Sequence, residues 1–479
     1  MKSINHIKTN GKSVFIPIIF CFLSCAFSCH PAEHSDNILI GTWLGYINND
    51  VQVFYEISRK WDGSLMGYNG IIEFRLSGLQ VEVVTFNQDT VRFEELESNQ
   101  RFVGILNSDS LTIRGKYTNL NINASWPLIL KRVDSLPLPP RPQTPKKPYP
   151  YREEEVVYKN ETAGINIAGT LTMPYRKAPF PAVLLITGSG QQNRDEERAF
   201  HHLFMVIADH LTRNGIAVLR VDDRGVGGTT RTGPFFNSTT NDLERDVLAG
   251  VQYLKSRKEI DPRKIGLIGH SEGGLIASMA VAESSDIAFI ILMASPPGDN
   301  SSDWIMKQDS TEARAKGADD RETATITNWC KRFYNIALNE ENPDTARKKL
   351  QQLYDERTRE EKEAFEKTGI SGGTIDIDYA LTPHFKRIMS INANDFLKQV
   401  QCPVLALMGD KDISGPSKQV LKSIENSLKS GGNKSHKIQE LKNLNHSFQT
   451  VKPDNAEDIE ETISPVVLDI ITSWIKERN

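Results

Sequence analysis

The strongest indication of the fold is one stretch of the sequence, Lys264-Ile-Gly-Leu-Ile-Gly-His-Ser-Glu-Gly-Gly-Leu-Ile-Ala277. An apolar run rich in β-branched residues leads into Gly269-His-Ser-Glu-Gly273, and a small, apolar, helix-favouring run follows. This pattern predicts a strand, a sharp turn and a helix, with the hydroxyl of Ser271 at the helix N-terminus. The two glycines permit a tight turn because they have no Cβ. Ser271 is therefore a candidate nucleophile, and the rest of the chain must supply its partners.

The composition restricts the class of protein. A chain of 479 residues predicts two or three domains, and 39% hydrophobic and 25% charged residues are typical of a soluble globular protein. A net charge of −4 and the lack of a basic stripe with interleaved aromatic residues argue against nucleic-acid binding. Five cysteines form no disulfide framework, and no His/Cys cluster has zinc spacing. We expect neither a metal nor another cofactor.

Residues 1–29 have the pattern of an export signal. A positively charged start precedes an apolar run, residues 14–27, that is short for a membrane span. Cys25 and Cys29 then follow small residues, as in bacterial lipoprotein signals, where the cysteine is acylated. We expect an exported protein, either a periplasmic or cell-surface lipoprotein with a lipid anchor in a bacterial membrane or a secreted one. The pattern leaves open which cysteine carries the lipid, and an uncleaved helix is the alternative.

Two changes of pattern divide the remaining chain. Residues 38–133 alternate polar and apolar positions with frequent turn signals, which predicts eight or nine short strands in a small all-β barrel or sandwich. The aromatic residues Trp43, Phe54 and Tyr55 are interpreted as core rather than as a ligand groove. Residues 134–151 contain seven prolines, so we expect a stiff linker that does not pack.

Strands and helices alternate in residues 152–479, which predicts a mostly parallel sheet with helices on both faces. A leading hairpin is expected at 154–173, followed by strands at 182–187, 216–221, 264–270, 287–294, 404–408 and 437–441. Residues 297–397 interrupt the alternation with charged, mostly helical sequence, for example at 345–367. We interpret this insertion as a cap over the strand ends, because sites in such sheets lie there; a peripheral decoration is the alternative.

A serine nucleophile needs a base and an oriented carboxylate. Beyond residue 400 the histidines are His436, which leads into a strand, and His446, which lies in a polar loop just after it. His446 is the better-placed base. The acid is expected in Gly409-Asp-Lys-Asp412, and we favour Asp412 at the tip of this turn, with Asp410 closing it.

Acyl transfer also requires donors for the oxyanion of the tetrahedral intermediate, each worth about 2.7–4 kcal/mol. One donor should be the backbone N–H of Glu272, directly after the nucleophile. The second should come from Thr187-Gly-Ser-Gly-Gln191, where Ser189 N–H is the first candidate and Gly190 the second. Arg194, just after this loop, is expected to pair with Asp195 or Glu196 rather than bind a substrate carboxylate.

These motifs together resemble the α/β-hydrolase superfamily over residues 152–479, and more narrowly its bacterial esterase and serine-aminopeptidase-like branch. The residues that carry the resemblance are Leu185-Ile-Thr-Gly-Ser-Gly190, Asp222-Asp-Arg-Gly-Val-Gly227, Gly269-His-Ser-Glu-Gly273, Gly409-Asp-Lys-Asp412 and Asn445-His446. The resemblance implies Ser271 as nucleophile, Asp412 as acid, His446 as base and no cofactor. Thr187 stands where many members carry histidine before glycine. The stretch 224–229 has glycine spacing reminiscent of a nucleotide loop, but it is interpreted as a sheet loop braced by Asp222, Asp223 and Arg224.

The sequence therefore predicts an exported serine hydrolase that cleaves carboxylic esters of small molecules through an acyl-enzyme. A serine aminopeptidase acting on short peptides and a thioesterase on the same fold are alternatives. A surface binding protein with an inactive hydrolase domain is another. The acyl length, the physiological substrate, the role of the β module and the oligomeric state do not follow from the sequence.

Overall fold

A computed structural model describes residues 35–370, 376–452 and 459–478. The predicted export signal lies outside these residues. Contacts divide the chain into a first unit, Met1–Ile38, and a second, Leu39–Asn479, to which the strands and α-helices below belong. Among the described residues, no helix combines the length and the apolar character needed to cross a membrane.

The first sheet is a meander of antiparallel strands. Its strands are β1 Gly41–Ile47, β2 Val51–Arg59, β3 Leu65–Ile71, β4 Leu76–Val81, β5 Val83–Asn87, β6 Thr90–Glu95, β7 Gln100–Leu106, β8 Thr112–Asn119 and β9 Ala124–Val133. Neighbouring strands in the order β4-β3-β2-β1-β9-β8-β7-β6-β5 are hydrogen-bonded to each other. The two strands at the ends of this order, β4 and β5, follow one another in the chain but do not pair, so the sheet is nearly closed. The predicted all-β module is confirmed, and Trp43, Phe54 and Tyr55 lie in its core.

Residues 134–150 contain no helix or strand, but they are more than a spacer. The side chain of Gln143 donates to the carbonyl of Ile463 (2.8 Å) and accepts from the N–H of Thr462 (2.6 Å). Arg141 donates to the carbonyl of Ala199. The expectation that this segment does not pack is wrong, because the polar residues between the prolines supply hydrogen bonds that proline cannot make.

The second sheet contains eight strands in the order β10-β11-β15-β12-β16-β17-β18-β19. These are β10 Tyr151–Asn160, β11 Ile165–Pro174, β12 Phe180–Ile186, β15 Ala217–Val221, β16 Ile260–His270, β17 Phe289–Met293, β18 Val404–Gly409 and β19 His436–Leu441. A separate hairpin consists of β13 Glu197–Arg198 and β14 His201–His202. In the eight-stranded sheet β11 pairs antiparallel with β10 and β15, whereas the remaining neighbours are parallel.

Helices cover both faces of this sheet, as predicted. They are α1 Leu203–Arg213, α2 Thr240–Ser256, α3 Glu272–Glu283, α11 Ser417–Ser430 and α12 Pro465–Lys476. Successive side chains of a strand enter opposite cores: Leu184 and Ile186 pack on the side of α2 and α3, while Val183 and Leu185 pack on the side of α1 and α12. This alternation explains why β12 reads as a continuous apolar run.

The described residues of the 297–397 insertion are mostly helical, as predicted. The helices are α4 Ser301–Ala315, α5 Asp320–Asn339, α6 Pro343–Asp355, α7 Arg359–Thr368, α8 Ile377–Ala380, α9 Pro383–Ser390 and α10 Ala393–Leu397. The expected continuous helix at 345–367 is two helices. Thr358 accepts a hydrogen bond from the N–H of Glu361 and forms a capping box, so a new helix begins there.

Candidate active site

Ser271 occupies the turn between β16 and α3 with φ 53° and ψ −122°, a region that non-glycine residues rarely adopt. Its N–H donates to the carbonyl of Met293 on the next strand (2.8 Å), which holds the strained turn. A Cβ on Gly269 would lie 2.1 Å from the carbonyl oxygen of Gly273. A Cβ on Gly273 would lie 2.3 Å from the carbonyl oxygen of Ile186. Both glycines of the motif are therefore required by close backbone approach.

Asp412 and His446 meet across the ends of β18 and β19. Oδ2 of Asp412 lies 2.8 Å from Nδ1 of His446, and Oδ1 accepts from the N–H of Ser414. Because a carboxylate only accepts, Nδ1 of His446 carries a proton and Nε2 of the neutral ring is left as the basic atom. The side chain of Asp412 is fully buried, so water does not compete for this hydrogen bond.

Asp410 closes the turn, as expected. Its Oδ1 accepts from the N–H of Asn443 (2.6 Å), and its own N–H donates to the carbonyl of Leu441. A Cβ on Gly409 would lie 2.0 Å from the carbonyl oxygen of Leu444, so the strand end and the loop that carries His446 touch through their backbones. This contact sets where the imidazole stands relative to β18.

One cavity of about 1320 Å³ brings Ser271, His446, Glu272 and Ser189 together. Asp412 contacts His446 but does not line this cavity. Residues 297–397 supply apolar lining, namely Trp304, Ile305, Tyr379 and Ile388. The helical insertion therefore contributes to the same cavity as the serine, in agreement with its interpretation as a cap.

The loop after β12 presents Ser189 and Gly190 to the cavity. The N–H of Gly188 donates to Oε1 of Glu196 (2.9 Å), so this amide is already engaged. Glu272 begins α3, where a backbone N–H has no acceptor within the helix. Thr187 donates through its hydroxyl to Oδ1 of Asp223 (3.0 Å) and thereby fixes the loop to the end of β15.

His270 and Glu196 form a buried pair that sequence reasoning missed. Nδ1 of His270 lies 2.8 Å from Oε1 of Glu196, and Nε2 lies 3.0 Å from the backbone oxygen of His446. Both partners are acceptors, so both ring nitrogens donate and the ring is charged. Burial lowers the pKa of His270, but the charge of Glu196 and these hydrogen bonds raise it above the usual value overall.

Glu196 thus connects two parts of the site. The same Oε1 holds Gly188, on the loop that carries Ser189, and His270, which holds the backbone of His446. In the sequence, Glu196 follows the 187–191 loop closely and His270 lies inside the serine motif. These positions could have suggested both residues as parts of the site, but hydrophobic periodicity does not predict a contact between them.

Glu272 links the serine turn to the cap. Its Oε1 lies 3.3 Å from Nε2 of His384 on α9, and both side chains are buried. Burial alone would raise the pKa of Glu272, but His384, Ser189 and Thr240 lower it overall. Burial lowers the pKa of His384, whereas the charge of Glu272 raises it above its usual value. The pair fixes α9 above α3.

The acids near the end of β15 brace loops, but with other partners than expected. Arg194 binds Asp222 through two hydrogen bonds (3.0 and 2.6 Å), so its predicted pairing with Asp195 or Glu196 is wrong. Asp195 instead meets Arg220. Arg224 pairs with Asp246 rather than with its neighbours. Sequence proximity misled here because strand ends bring residues from separate loops together.

The glycine loop 224–229 is a docking surface for the first sheet. The N–H of Gly227 donates to Oε1 of Gln80 (2.9 Å), and the carbonyl of Gly228 accepts from the indole N–H of Trp61 (2.9 Å). His436 lies at the start of β19, outside the cavity. Within the part of the chain that the structure describes, no group of three or more His, Cys, Asp or Glu side chains is arranged to hold a metal ion.

Comparison with known proteins identifies the family of the chain. The model of the family "Serine aminopeptidase, S33" matches residues 200–450, more than half of the chain. Esterase EstD of Thermotoga maritima is 30% identical over 146 residues, covering 30% of this chain and 34% of that protein. Esterase FrsA of Yersinia enterocolitica is 26% identical over 251 residues, covering 52% of this chain and 50% of that protein.

The chain thus spans half or less of the length of these two curated relatives. Among solved structures, Est1E from Butyrivibrio proteoclasticus with bound ferulic acid aligns with a TM-score of 0.40 and 18% identity, covering 67% of this chain and 98% of that one. The predicted α/β-hydrolase fold and the predicted serine-hydrolase class are confirmed by the family match. The chain belongs to the serine aminopeptidase S33 family of α/β-hydrolases.

Proposed function

We propose that the protein hydrolyses carboxylic esters through a covalent acyl-enzyme on Ser271. The observation that carries this proposal is the meeting of a strained serine turn with a hydrogen-bonded His446–Asp412 pair around one cavity. The similarity to two esterases supports esters as the substrate class.

In this mechanism Nε2 of His446 accepts the proton of Ser271 while the serine oxygen attacks the ester carbonyl. The N–H groups of Glu272 and Ser189 stabilise the resulting oxyanion. His446 then gives the proton to the leaving alcohol, and a water molecule repeats the cycle on the acyl-enzyme. Asp412 keeps the ring oriented and stabilises its charged form.

The aminopeptidase alternative requires a carboxylate free to bind a substrate amine. Each of the four described carboxylates that line the cavity has a partner, although Oε2 of Glu196 and Oε2 of Glu272 accept no hydrogen bond. Glu196 holds His270, Glu272 faces His384, Glu312 pairs with Lys316, and Asp376 caps α8. This favours esters over peptides, and a thioester remains chemically close to an ester.

The direct experiment compares wild type with Ser271→Ala on 4-nitrophenyl acetate and on a fluorophosphonate probe. Wild type should hydrolyse the ester and react with the probe, and Ser271→Ala should do neither. Ser284→Ala, at the far end of α3, is the matched control and should behave as wild type. Undiminished turnover by Ser271→Ala would contradict the mechanism, and an unreactive wild type would favour a binding protein with an inactive hydrolase fold.

We further propose that the protein is exported and anchored by lipid through Cys25 or Cys29, since the first 29 residues carry the signal pattern described above. Radiolabelled palmitate should be incorporated into the wild type expressed in a bacterial host. The variants Cys25→Ala and Cys29→Ala, made singly, identify the acylated residue. Label retained by the double variant would refute the anchor.

A further inference from the structure

One face of the first sheet is exposed and carries mainly basic charge. Side chains of β6, β7, β8 and β9 alternate between the core and this face, so that Phe102 and Ile113 are buried whereas their neighbours are not. Of the charged side chains that these four strands direct to this face, all but one are basic. We call this surface the basic face; its charged residues are Arg92, Glu94, Arg101, Arg114, Lys116 and Lys131, and its exposed aliphatic residues are Val103, Ile105 and Ile129.

The strand register places aliphatic side chains directly beside the cations. Arg114 lies between Ile105 of β7 and Ile129 of β9. Lys116 lies opposite Val103. These aliphatic side chains are not covered by other parts of the described chain, and Ile105 keeps 50% of its surface exposed. The basic face therefore combines positive charge with an exposed apolar surface, a combination that is typical of interaction sites.

Few carboxylates neutralise the basic face. Glu94 pairs with Arg92 and lies opposite Arg101 in the ladder. Asp109 stands at the rim, where its carboxylate accepts hydrogen bonds from two backbone N–H groups of its own turn. Within the described residues, the other three cations of the face take part in no ion pair. The chain as a whole has a net charge of −4, so its attraction to an anionic partner must come from a local surface such as this one.

The chain enters the first sheet beside the basic face. Leu44 of β1 pairs with Lys131, and the carbonyl of Ile40 accepts from the side chain of Arg132 (2.6 Å). Cys29 precedes β1 by about twelve residues, which reach at most about 40 Å when fully extended. The proposed lipid anchor at this end of the chain therefore keeps the first sheet close to the membrane surface.

We propose that the basic face binds the surface of a membrane that contains anionic lipids. Its cations lie against the lipid phosphates, and Ile105 and Ile129 reach the boundary between headgroups and acyl chains. A nucleic acid fits this face less well, because sites for single strands combine cations with aromatic residues that stack on bases, whereas the apolar residues of this face are aliphatic. This inference goes beyond ester hydrolysis and does not depend on it.

The first test measures by flotation how strongly the full chain partitions onto lipid vesicles. The protein carries Cys25→Ala and Cys29→Ala, so that acylation contributes nothing to binding. Vesicles of phosphatidylcholine are compared with vesicles of equal parts phosphatidylcholine and phosphatidylglycerol. The partition coefficient should be at least about tenfold higher for the anionic vesicles, and the difference should shrink at high salt.

The variant Lys116→Glu/Lys131→Glu reverses two charges of the basic face and should lower the partition onto anionic vesicles by about tenfold or more. Lys331→Glu/Lys348→Glu, at exposed positions of α5 and α6, is the matched control because it changes the net charge equally. Its partition should stay within about twofold of the parent protein. Residues 1–29 are the same in all three proteins, so the difference between the two double variants measures the contribution of the basic face.

A fluorescent label shows which surface meets the lipid. Ser125→Cys, an exposed position of β9 on the same side as Ile129, is labelled with a fluorophore that is sensitive to its environment. Ser285→Cys, an exposed position after α3, is the control. Emission from position 125 should shift to the blue on anionic vesicles, whereas emission from position 285 should not. The parent protein gives the background from Cys330 and Cys402.

Equal partition of the two double variants, together with an unshifted label at position 125, would overturn the proposal. Binding of a DNA duplex that is lost in Lys116→Glu/Lys131→Glu, without any loss of vesicle binding, would also overturn it and assign the face to a nucleic acid. Failure of the proposed esterase would appear separately, as absence of ester turnover in solution. Failure of the proposed anchor would appear in the palmitate experiment, since the vesicle experiment uses protein that cannot be acylated at Cys25 or Cys29.

Discussion

The strand-end turns around Ser271, Asp412 and His446 differ from the β13–β14 hairpin in how their positions are specified. Each strand-end residue is placed by its own strand and turn, and close backbone contacts at Gly273 and Gly409 fix the geometry. The turn of this hairpin has positive φ at Ala199 and Phe200, and the contacts of Phe200 with Phe54 and Ser77 of the first sheet maintain it. The first arrangement follows from local sequence, whereas the second exists only once two sheets have docked.

The largest expected effect separates the two acids of the β18 turn. Asp412→Asn should lower kcat about 10⁴-fold, because an amide can donate to His446 and favour the wrong tautomer. Asp410→Asn should change kcat less than about threefold, since its amide oxygen still accepts from the N–H of Asn443. Steady-state kinetics on 4-nitrophenyl acetate measure both values of kcat. Equal losses of kcat in the two variants would contradict the assignment of Asp412 as the acid.

Gly273→Ala tests whether backbone contact fixes the serine turn. The new Cβ would meet the carbonyl oxygen of Ile186 at 2.3 Å, so we expect a loss of about 3 kcal/mol or more in the free energy of unfolding. Gly164→Ala is the control, at φ 68° with no atom within 4 Å of the new Cβ, and should cost about 1 kcal/mol. Urea titrations give both values. Gly273 does not have a positive φ, so a loss no larger than that of Gly164→Ala would mean that its close backbone contact does not fix the turn.

Glu196→Gln weakens the connection between the loop that carries Ser189 and the loop that carries His446, while the side chain at position 196 keeps its size. We expect kcat to fall about tenfold with little change in KM. The raised pKa of His270 adds a pH signature: the ion pair stabilises the fold fully below pH 6.5, and this contribution is lost as the pH rises through the raised pKa.

The stability deficit of Glu196→Gln should accordingly be largest near about pH 6 and shrink toward about pH 9. Glu161→Gln, which removes an exposed ion pair with Lys159, should show no such trend. A deficit that grows with pH would mean that His270 is neutral in the native protein.

The smallest expected effect concerns docking of the first sheet. Trp61→Phe removes the indole donor to the carbonyl of Gly228 and should lower the free energy of unfolding by about 1 kcal/mol. Tyr175→Phe, which removes the hydroxyl of an exposed aromatic side chain, is the control and should change it by less than about 0.5 kcal/mol. Thermal unfolding of both variants measures the difference, and equal values would indicate that this bond contributes nothing to docking.

Much of the fold could be predicted from the sequence, because apolar runs indicate β12 and β16, and a 3.6-residue period of apolar residues indicates α2. The contact between Asp412 and His446 followed from their positions just past strands. His270, Glu196 and His384 could not be predicted, since their contacts join segments between 74 and 176 residues apart. The same reason defeated the pairing of Arg194, whose partner Asp222 lies 28 residues away at another strand end.

The most direct test of the account is mass spectrometry of the enzyme quenched during turnover of a slowly deacylating 4-nitrophenyl ester. The account predicts a mass increase of one acyl group, located on the peptide that contains Ser271, and a burst of one nitrophenolate per active site. Ester hydrolysis with no acylated peptide, or with the acyl group on another residue while Ser271→Ala retains its turnover, would contradict it.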